Sequence, residues 1–113
     1  METTITNEFM QRMLANAKDY CVMILRQGPN SSQPGADKIV WEHGRRNFRL
    51  RAEGILSIVC PVIDDGDIRG IGIFNASVDE TRRIMDEDPG VQGGIFVYET
   101  HLCRSFPGDS LAQ

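Results

Sequence analysis

The stretch that decides the fold is residues 55–80, ILSIVCPVIDDGDIRGIGIFNASVDE. Its two halves, 55–63 and 68–76, are typical of strands, and the Asp-Gly pair between them is typical of a hairpin. The segment that follows, 77–80, is a capping box: the Ser77 hydroxyl accepts from a free backbone N–H and Glu80 reaches back. The stretch therefore predicts strand, hairpin, strand and helix, with the helix running to about residue 87.

The flanking sequence completes a β-α-β-β-α-β order. This order predicts an α+β, ferredoxin-like fold of four antiparallel strands with two helices on one face. An extra amphipathic helix, capped by Thr6, precedes this core. The remaining predicted elements are a strand at 19–27, a loop at 28–36, a helix at 37–53 ended by Gly54, a turn at 90–94 and a strand at 95–106. The predicted organisation is an N-terminal helical extension (1–18), one domain (19–106) and a flexible tail (107–113).

The strands are apolar on both faces. Val22 and Ile24 alternate with Met23 and Leu25 in the first strand. An antiparallel sheet with one face in water alternates apolar with polar residues, and two helices cover only one face. A homodimer packed sheet face to sheet face is therefore predicted, because a monomer would expose a large apolar patch.

Composition and charge limit the classes of function that are expected for this chain. The 113 residues carry 12 Lys+Arg against 16 Asp+Glu, a net charge of -4, and leave room for one domain. Without basic runs, a nucleic-acid partner is not expected. Without a long apolar window or a signal-peptide pattern at the N-terminus, a membrane or secreted location is not expected, and the predicted location is cytoplasmic.

The cysteines and cofactor motifs are uninformative. Cys21, Cys60 and Cys103 are widely spaced, which is typical of free thiols rather than of disulfides or a zinc site, and Cys60 is the one expected to be partly exposed. His101 and Cys103 share a strand face and could reach a metal, but no further ligands follow at fixed spacing. We therefore expect no metal and no cofactor.

His43 and Asp88 are the candidate chemical groups. His43 lies on the inward stripe of the helix at 37–53, and Asp88 lies at the end of the next helix. There the negative end of the helix dipole is expected to raise the carboxyl pKa. If the two side chains converge, they suit proton transfer. The structural alternatives are a hydrogen-bonded core histidine and a solvated aspartate before a proline.

The chain resembles the YCII-like family of small dimeric α+β-barrel proteins over about residues 19–106. The resemblance implies a dimer with one pocket per subunit, in which His43 and Asp88 occupy the positions of the family's histidine and aspartate. Two departures from the family pattern are Cys60, where a glycine is usual, and Gly90, where a larger residue is usual and whose small size is expected to open the pocket. The residues that carry the resemblance are His43, Glu53-Gly54, Ile55-Leu56, Pro61, Ser77, Asp88-Pro89 and Gly94.

The resemblance implies a cofactor-independent lyase or isomerase acting on a small polar or aromatic molecule. In that function His43 accepts the proton, and Asp88 either orients the imidazole of His43 or acts as the acid. Tyr20 and Arg26 are candidates for binding a substrate oxygen, and Cys60 for shaping the pocket wall. The alternative is a non-catalytic small-ligand-binding or assembly module that uses the arginines of the long helix, which otherwise form a solvated face. A haem- or quinone-type oxygenase with His101 as axial ligand is a third possibility.

Overall fold

The predicted elements are present in the predicted order. The structure is a computed structural model that describes residues 2–113, so residue 1 of the predicted extension lies outside the described residues. One short helix occupies the position of the predicted turn at 90–94. The elements are α1 (Asn7–Ala15), β1 (Lys18–Gln27), α2 (Ala36–Ala52), β2 (Leu56–Pro61), β3 (Ile68–Phe74), α3 (Val78–Asp86), α4 (Pro89–Gln92) and β4 (Phe96–Ser105).

The four strands form one antiparallel sheet in the order β2-β3-β1-β4. Strand β1 lies in the interior of the sheet and pairs with β4 from Lys18↔Ser105 to Gln27↔Phe96. The predicted hairpin joins β2 to β3, and the Asp64 carboxylate accepts from Gly66 N at 2.9 Å within its loop. The chain is therefore a mixed α+β fold, as predicted.

The helices after β1 pack on one face of the sheet. The odd-numbered β1 residues Cys21, Met23 and Leu25 are buried on this face, in one core with Phe74 of β3 and Met85 of α3. The capping box of α3 is confirmed, since Ser77 Oγ accepts from Glu80 N at 3.1 Å and Glu80 Oε1 accepts from Ser77 N at 3.3 Å.

The opposite face of the sheet, here called the open face, carries the even-numbered β1 residues. Val22 pairs with Ile73 and Ile24 with Ile71, and all four are only partly buried or exposed. Within residues 2–113 no helix packs on this face; the tail at 106–111 lies beside its end, next to Tyr20. The apolar character of both faces is confirmed, and one face lacks a cover.

Helix α1 is largely exposed, and Met13 is its one half-buried residue. The Thr6 hydroxyl accepts from Phe9 N at 3.1 Å, as predicted for its cap, but none of the helix residues is buried. Of the cysteines, Cys21 is buried, Cys103 half-buried and Cys60 exposed. No helix within residues 2–113 is long and apolar enough to cross a bilayer.

Candidate functional site

Helix α2 places His43 under the sheet. The buried residues of this helix are Ala36, His43 and Leu50, spaced by seven and therefore on one side of the helix. The imidazole lies 4.8 Å from the ring of Phe96 on β4, centroid to centroid and tilted by 50°. The predicted inward position of His43 is confirmed.

Asp88 occupies a different position from the one predicted. Helix α3 ends at Asp86, and Asp88 is the N-cap of α4, with Pro89 in the first turn. Its carboxylate accepts from Gly90 N at 2.9 Å and from Val91 N at 3.2 Å. The side chain is thus surrounded by the unpaired N–H groups that begin a helix and not by the carbonyls that end one.

This position reverses the expected pKa shift of Asp88. Burial by itself raises the pKa of the carboxyl, since the side chain is fully buried. The hydrogen bond and charge of His43, the Val91 N–H and the charge of Arg46 outweigh burial and hold the pKa below its ordinary value of 3.8. The prediction of a raised pKa was wrong because it assigned Asp88 to the wrong helix.

The structure brings His43 and Asp88 into direct contact across 45 residues of sequence. Nδ1 of His43 lies 2.9 Å from both carboxylate oxygens of Asp88. An ionised carboxylate only accepts hydrogen bonds, so Nδ1 carries a proton and donates it to this bond. In the neutral ring Nε2 is then unprotonated, and it accepts from Asn47 Nδ2 at 3.2 Å, one turn further along α2.

One of the four α2 arginines belongs to this cluster. Arg46 was grouped with a solvated face, but its side chain is only 14% exposed and its Nη1 lies 3.6 Å from Asp88 Oδ1. That Nη1 is buried and makes no hydrogen bond within the described chain. By contrast, Arg45 pairs with Glu42 and Arg49 with Glu53 on the exposed side of the helix. The cluster therefore holds one carboxylate, one imidazole and one guanidinium.

A cavity of about 280 Å³ lies between α2 and the sheet, and His43 and Asn47 line it. Its other lining is mostly apolar. Gly70 and Gly72 of β3 lie at the cavity, and a Cβ on Gly72 would meet Leu56 Cδ1 at 3.0 Å. Asp88 is not among the lining residues and contacts the imidazole from behind. The apolar lining residues include Met23, Leu25, Leu56, Val59 and Phe96.

The three predicted binding residues lie in two different parts of the fold. Cys60 lines the cavity, whereas Tyr20 and Arg26 do not. Side chains alternate along a strand, so the even-numbered Tyr20 and Arg26 share the open face with Val22, away from the cavity. Arg26 is bound there to Glu99 at 2.8 Å. These two β1 side chains therefore lie away from the cavity that His43 lines, and their role in binding a substrate oxygen stays a prediction.

Gly90 and His101 make contacts that bear on the roles expected for them. Gly90 does not open the pocket, because a Cβ there would lie 2.5 Å from Phe96 Cδ2; the glycine instead lets Phe96 approach. His101 bonds to Glu99 at 2.8 Å on the open face. Within residues 2–113 no group of three or more His, Cys, Asp and Glu side chains is placed to hold a metal ion.

Sequence reasoning missed the site roles of Arg46, Asn47 and Phe96. For the first two a signal exists: they follow His43 by three and four residues, so they share its side of the helix. For Phe96 there is none, because it belongs to a different element and is brought to the ring only by tertiary packing.

Comparison with known proteins leaves the family open. No protein-family model and no curated protein matches the chain. Among solved structures the chain is similar to one titled "Crystal structure of methylated RPA0582 protein", with 15% identity and a TM-score of 0.37. The match covers 94% of this chain and 96% of that one.

Proposed function

We propose that this protein is a cofactor-independent enzyme of the lyase or isomerase type, in which His43 moves a proton on a small molecule bound in the cavity. The observation that carries the proposal is a buried imidazole whose Nδ1 is held by Asp88 and whose Nε2 end lies at a cavity. Proton transfer needs a base within hydrogen-bond reach of the substrate and no redox group.

The chemistry assigns a different role to each polar residue. Asp88 accepts a hydrogen bond from Nδ1–H and so keeps the lone pair on Nε2. A bound substrate displaces the Asn47 amide from Nε2, which then takes a proton from a C–H or O–H group of the substrate. The bond to hydrogen breaks, its electron pair stays on the substrate as an enolate, and the imidazolium is stabilised by the adjacent carboxylate. Returning the proton to another atom is isomerisation, and expelling a leaving group is elimination. Asp88 is a positioning residue, since it does not line the cavity.

The lining supports a small, largely apolar substrate. Small-molecule sites are mostly apolar with a few polar groups that fix orientation, and about 280 Å³ is at the small end of their range. Of the expected small polar or aromatic molecules, the apolar walls favour the aromatic or cyclic class. Asn47 and Arg69 are polar residues of the lining that can orient a substrate oxygen. Cys60 also borders the cavity, but it pairs with Ile71, so its side chain shares the open face with Ile71.

The finer fold prediction is part of the same proposal. We infer a homodimer of YCII-like type, in which the open faces of two ferredoxin-like chains pack together to form an α/β barrel. It is supported by the β-α-β-β-α-β order and by the exposure of apolar side chains on the open face, with Ile71 37% and Val97 47% exposed. Soluble monomers rarely leave a contiguous patch of this kind in water.

Proton abstraction is tested directly with small cyclic ketones in D₂O, such as cyclohexanone and cyclohex-3-en-1-one. Proton NMR follows exchange at the carbon beside the carbonyl, and chemical-shift changes of the His43 ring report binding. The matched variant is His43→Asn, whose amide nitrogen replaces Nδ1 as a donor to Asp88 while Nε2 is lost. We expect exchange at least about a hundredfold faster with wild type than with this variant.

Two results contradict the proposal. One is equal exchange by wild type and His43→Asn. The other is binding of the ketones beside His43 without any exchange, which favours the non-catalytic ligand-binding alternative that uses the same cavity. Failure of every ketone to bind or exchange overturns the assignment of a cyclic carbonyl substrate class.

A further inference from the structure

Helix α1 presents an apolar stripe that is mostly exposed to solvent. The stripe, here called the α1 stripe, consists of Phe9, Met10, Met13 and Leu14, which share one side of the helix. Met10 is 47% and Leu14 61% exposed, and no residue of the helix is buried. Ile5 precedes the Thr6 cap and is also exposed.

A helix of this length needs a surface to pack on. Isolated helices shorter than about 12 residues are marginal in water, because nucleation is costly and most helical stability comes from packing of the apolar side. The local support of α1 is small, since the Thr6 cap satisfies a single backbone N–H and the Arg12 guanidinium lies 5.8 Å from the centre of the Phe9 ring. The sequence therefore specifies an amphipathic helix whose packing surface lies outside the described chain.

The surface area of the chain indicates how much is left uncovered. The structure exposes 7991 Å², whereas a compact monomer of 12.7 kDa exposes about 6,200 Å². Its radius of gyration is 16.5 Å against about 13 Å for a compact domain of this length. The excess, to which the exposed tail at 107–113 also contributes, is about twice the roughly 800 Å² that each partner buries in a standard interface.

The connection to β1 indicates which partner covers the stripe. Only Asn16 and Ala17 link α1 to β1, a strand in the interior of the sheet, so α1 lies beyond the end of that strand and off its own sheet. In the homodimer proposed above, the second sheet stacked on the open face would lie within reach of this projecting helix. A two-fold axis then gives the α1 helices of both copies the same environment. One symmetric contact buries both the α1 stripe and the open face of each copy.

We propose that α1 is a dimerisation arm, whose stripe packs on a second copy of this chain beside the stacked open faces. The inference rests on the homodimer proposed above and adds a part of the interface that the sheet does not supply. It also gives the N-terminal helical extension a role separate from the His43 cavity.

The test compares Leu14→Glu with Ala15→Glu by analytical ultracentrifugation over a range of protein concentrations. Both variants add one carboxylate to the last turn of α1, so any helix-dipole penalty is matched. Only Leu14 belongs to the stripe. We expect a dimer Kd at least about a hundredfold higher for Leu14→Glu, because both copies lose a packed side chain, and a change under about threefold for Ala15→Glu.

A third variant, Ile71→Glu, separates the arm from the sheet contact. Equal Kd values for Leu14→Glu and Ala15→Glu in a chain that still dimerises overturn the arm and leave the face-to-face dimer standing. Loss of dimers in Leu14→Glu but not in Ile71→Glu supports the arm and overturns the face-to-face sheets. A wild type that stays monomeric at about 100 μM overturns both. Unchanged far-UV circular dichroism in the sheet region shows that the core folds in each variant.

Discussion

Replacing His43 by alanine removes the imidazole that donates a hydrogen bond to a fully buried carboxylate. Asp88 Oδ1 and Oδ2 both lie 2.9 Å from His43 Nδ1, and the imidazole also packs against Phe96. The variant keeps the Gly90 and Val91 N–H donors, but the carboxylate loses its strongest neighbour. His43→Asn differs in one respect that matters, since its amide can still donate to Asp88.

The magnitude follows from these contacts. Removing a hydrogen bond to a buried charged group costs about 1.5–3 kcal/mol, and the lost packing against Phe96 adds about 1 kcal/mol. Arg46, with Nη1 3.6 Å from Asp88 Oδ1, is placed to recover part of this loss. We therefore expect His43→Ala to lower the free energy of unfolding by about 3 kcal/mol and His43→Asn by about 1 kcal/mol, the latter for lost packing against Phe96.

Urea denaturation at one fixed protein concentration holds the contribution of dimer dissociation constant, so the differences between variants report these values. A double-mutant cycle with Asp88→Asn isolates the pairwise coupling, for which we expect about 2 kcal/mol. A coupling below about 0.5 kcal/mol, or an alanine variant no less stable than the asparagine variant, would refute the assignment of Asp88 as the group that holds the imidazole.

Three further predictions concern stability and the cavity. The pKa of Asp88 is lowered in the folded chain, so its ionised carboxylate stabilises the fold above the ordinary pKa of 3.8, and this stabilisation is lost as the pH falls through the pKa of the folded state. Urea titrations from pH 6 to 2 should therefore show a steeper loss of unfolding free energy for wild type than for Asp88→Asn. Gly44→Ala should raise the free energy of unfolding by about 1 kcal/mol, because a Cβ there meets no atom within 4 Å and alanine favours the helix. The added methyl group lies at the cavity, so ketone binding measured by NMR should weaken. Gly90→Ala should cost about 1–3 kcal/mol in the same urea assay, because its Cβ would lie 2.5 Å from Phe96 Cδ2, and an unchanged midpoint would contradict this.

The α+β order could be predicted because its signals are local. The Ser77 capping box, the apolar alternation of β1 and the Gly54 stop each depend on neighbours within a few residues, and each is present in the structure. Helix α4 could not be predicted in the same way. The pair Asp88-Pro89 is typical both of a helix stop and of an N-cap followed by proline in the first turn. Only tertiary packing selects the second.

The site could be predicted in part for a related reason. Period-2 alternation established that Tyr20 and Arg26 share one face of β1 and Met23 and Leu25 the other. Because both faces are apolar, the alternation does not say which one the helices cover. The helices cover the odd-numbered face, and the cavity with His43 lies there. Which β1 side chains can reach a ligand is therefore a tertiary property.

Asp88 links the fold to the proposed chemistry. The same two oxygens cap α4 through Gly90 and Val91 and hold the imidazole through Nδ1. Phe96, which packs on the imidazole, begins the strand that follows α4 and approaches closely because residue 90 lacks a side chain. The segment from Asp88 to Phe96 therefore sets both the protonated nitrogen of His43 and the position of its ring. A substitution that loosens this segment should change proton transfer at Nε2 even when every cavity-lining side chain outside it is unchanged.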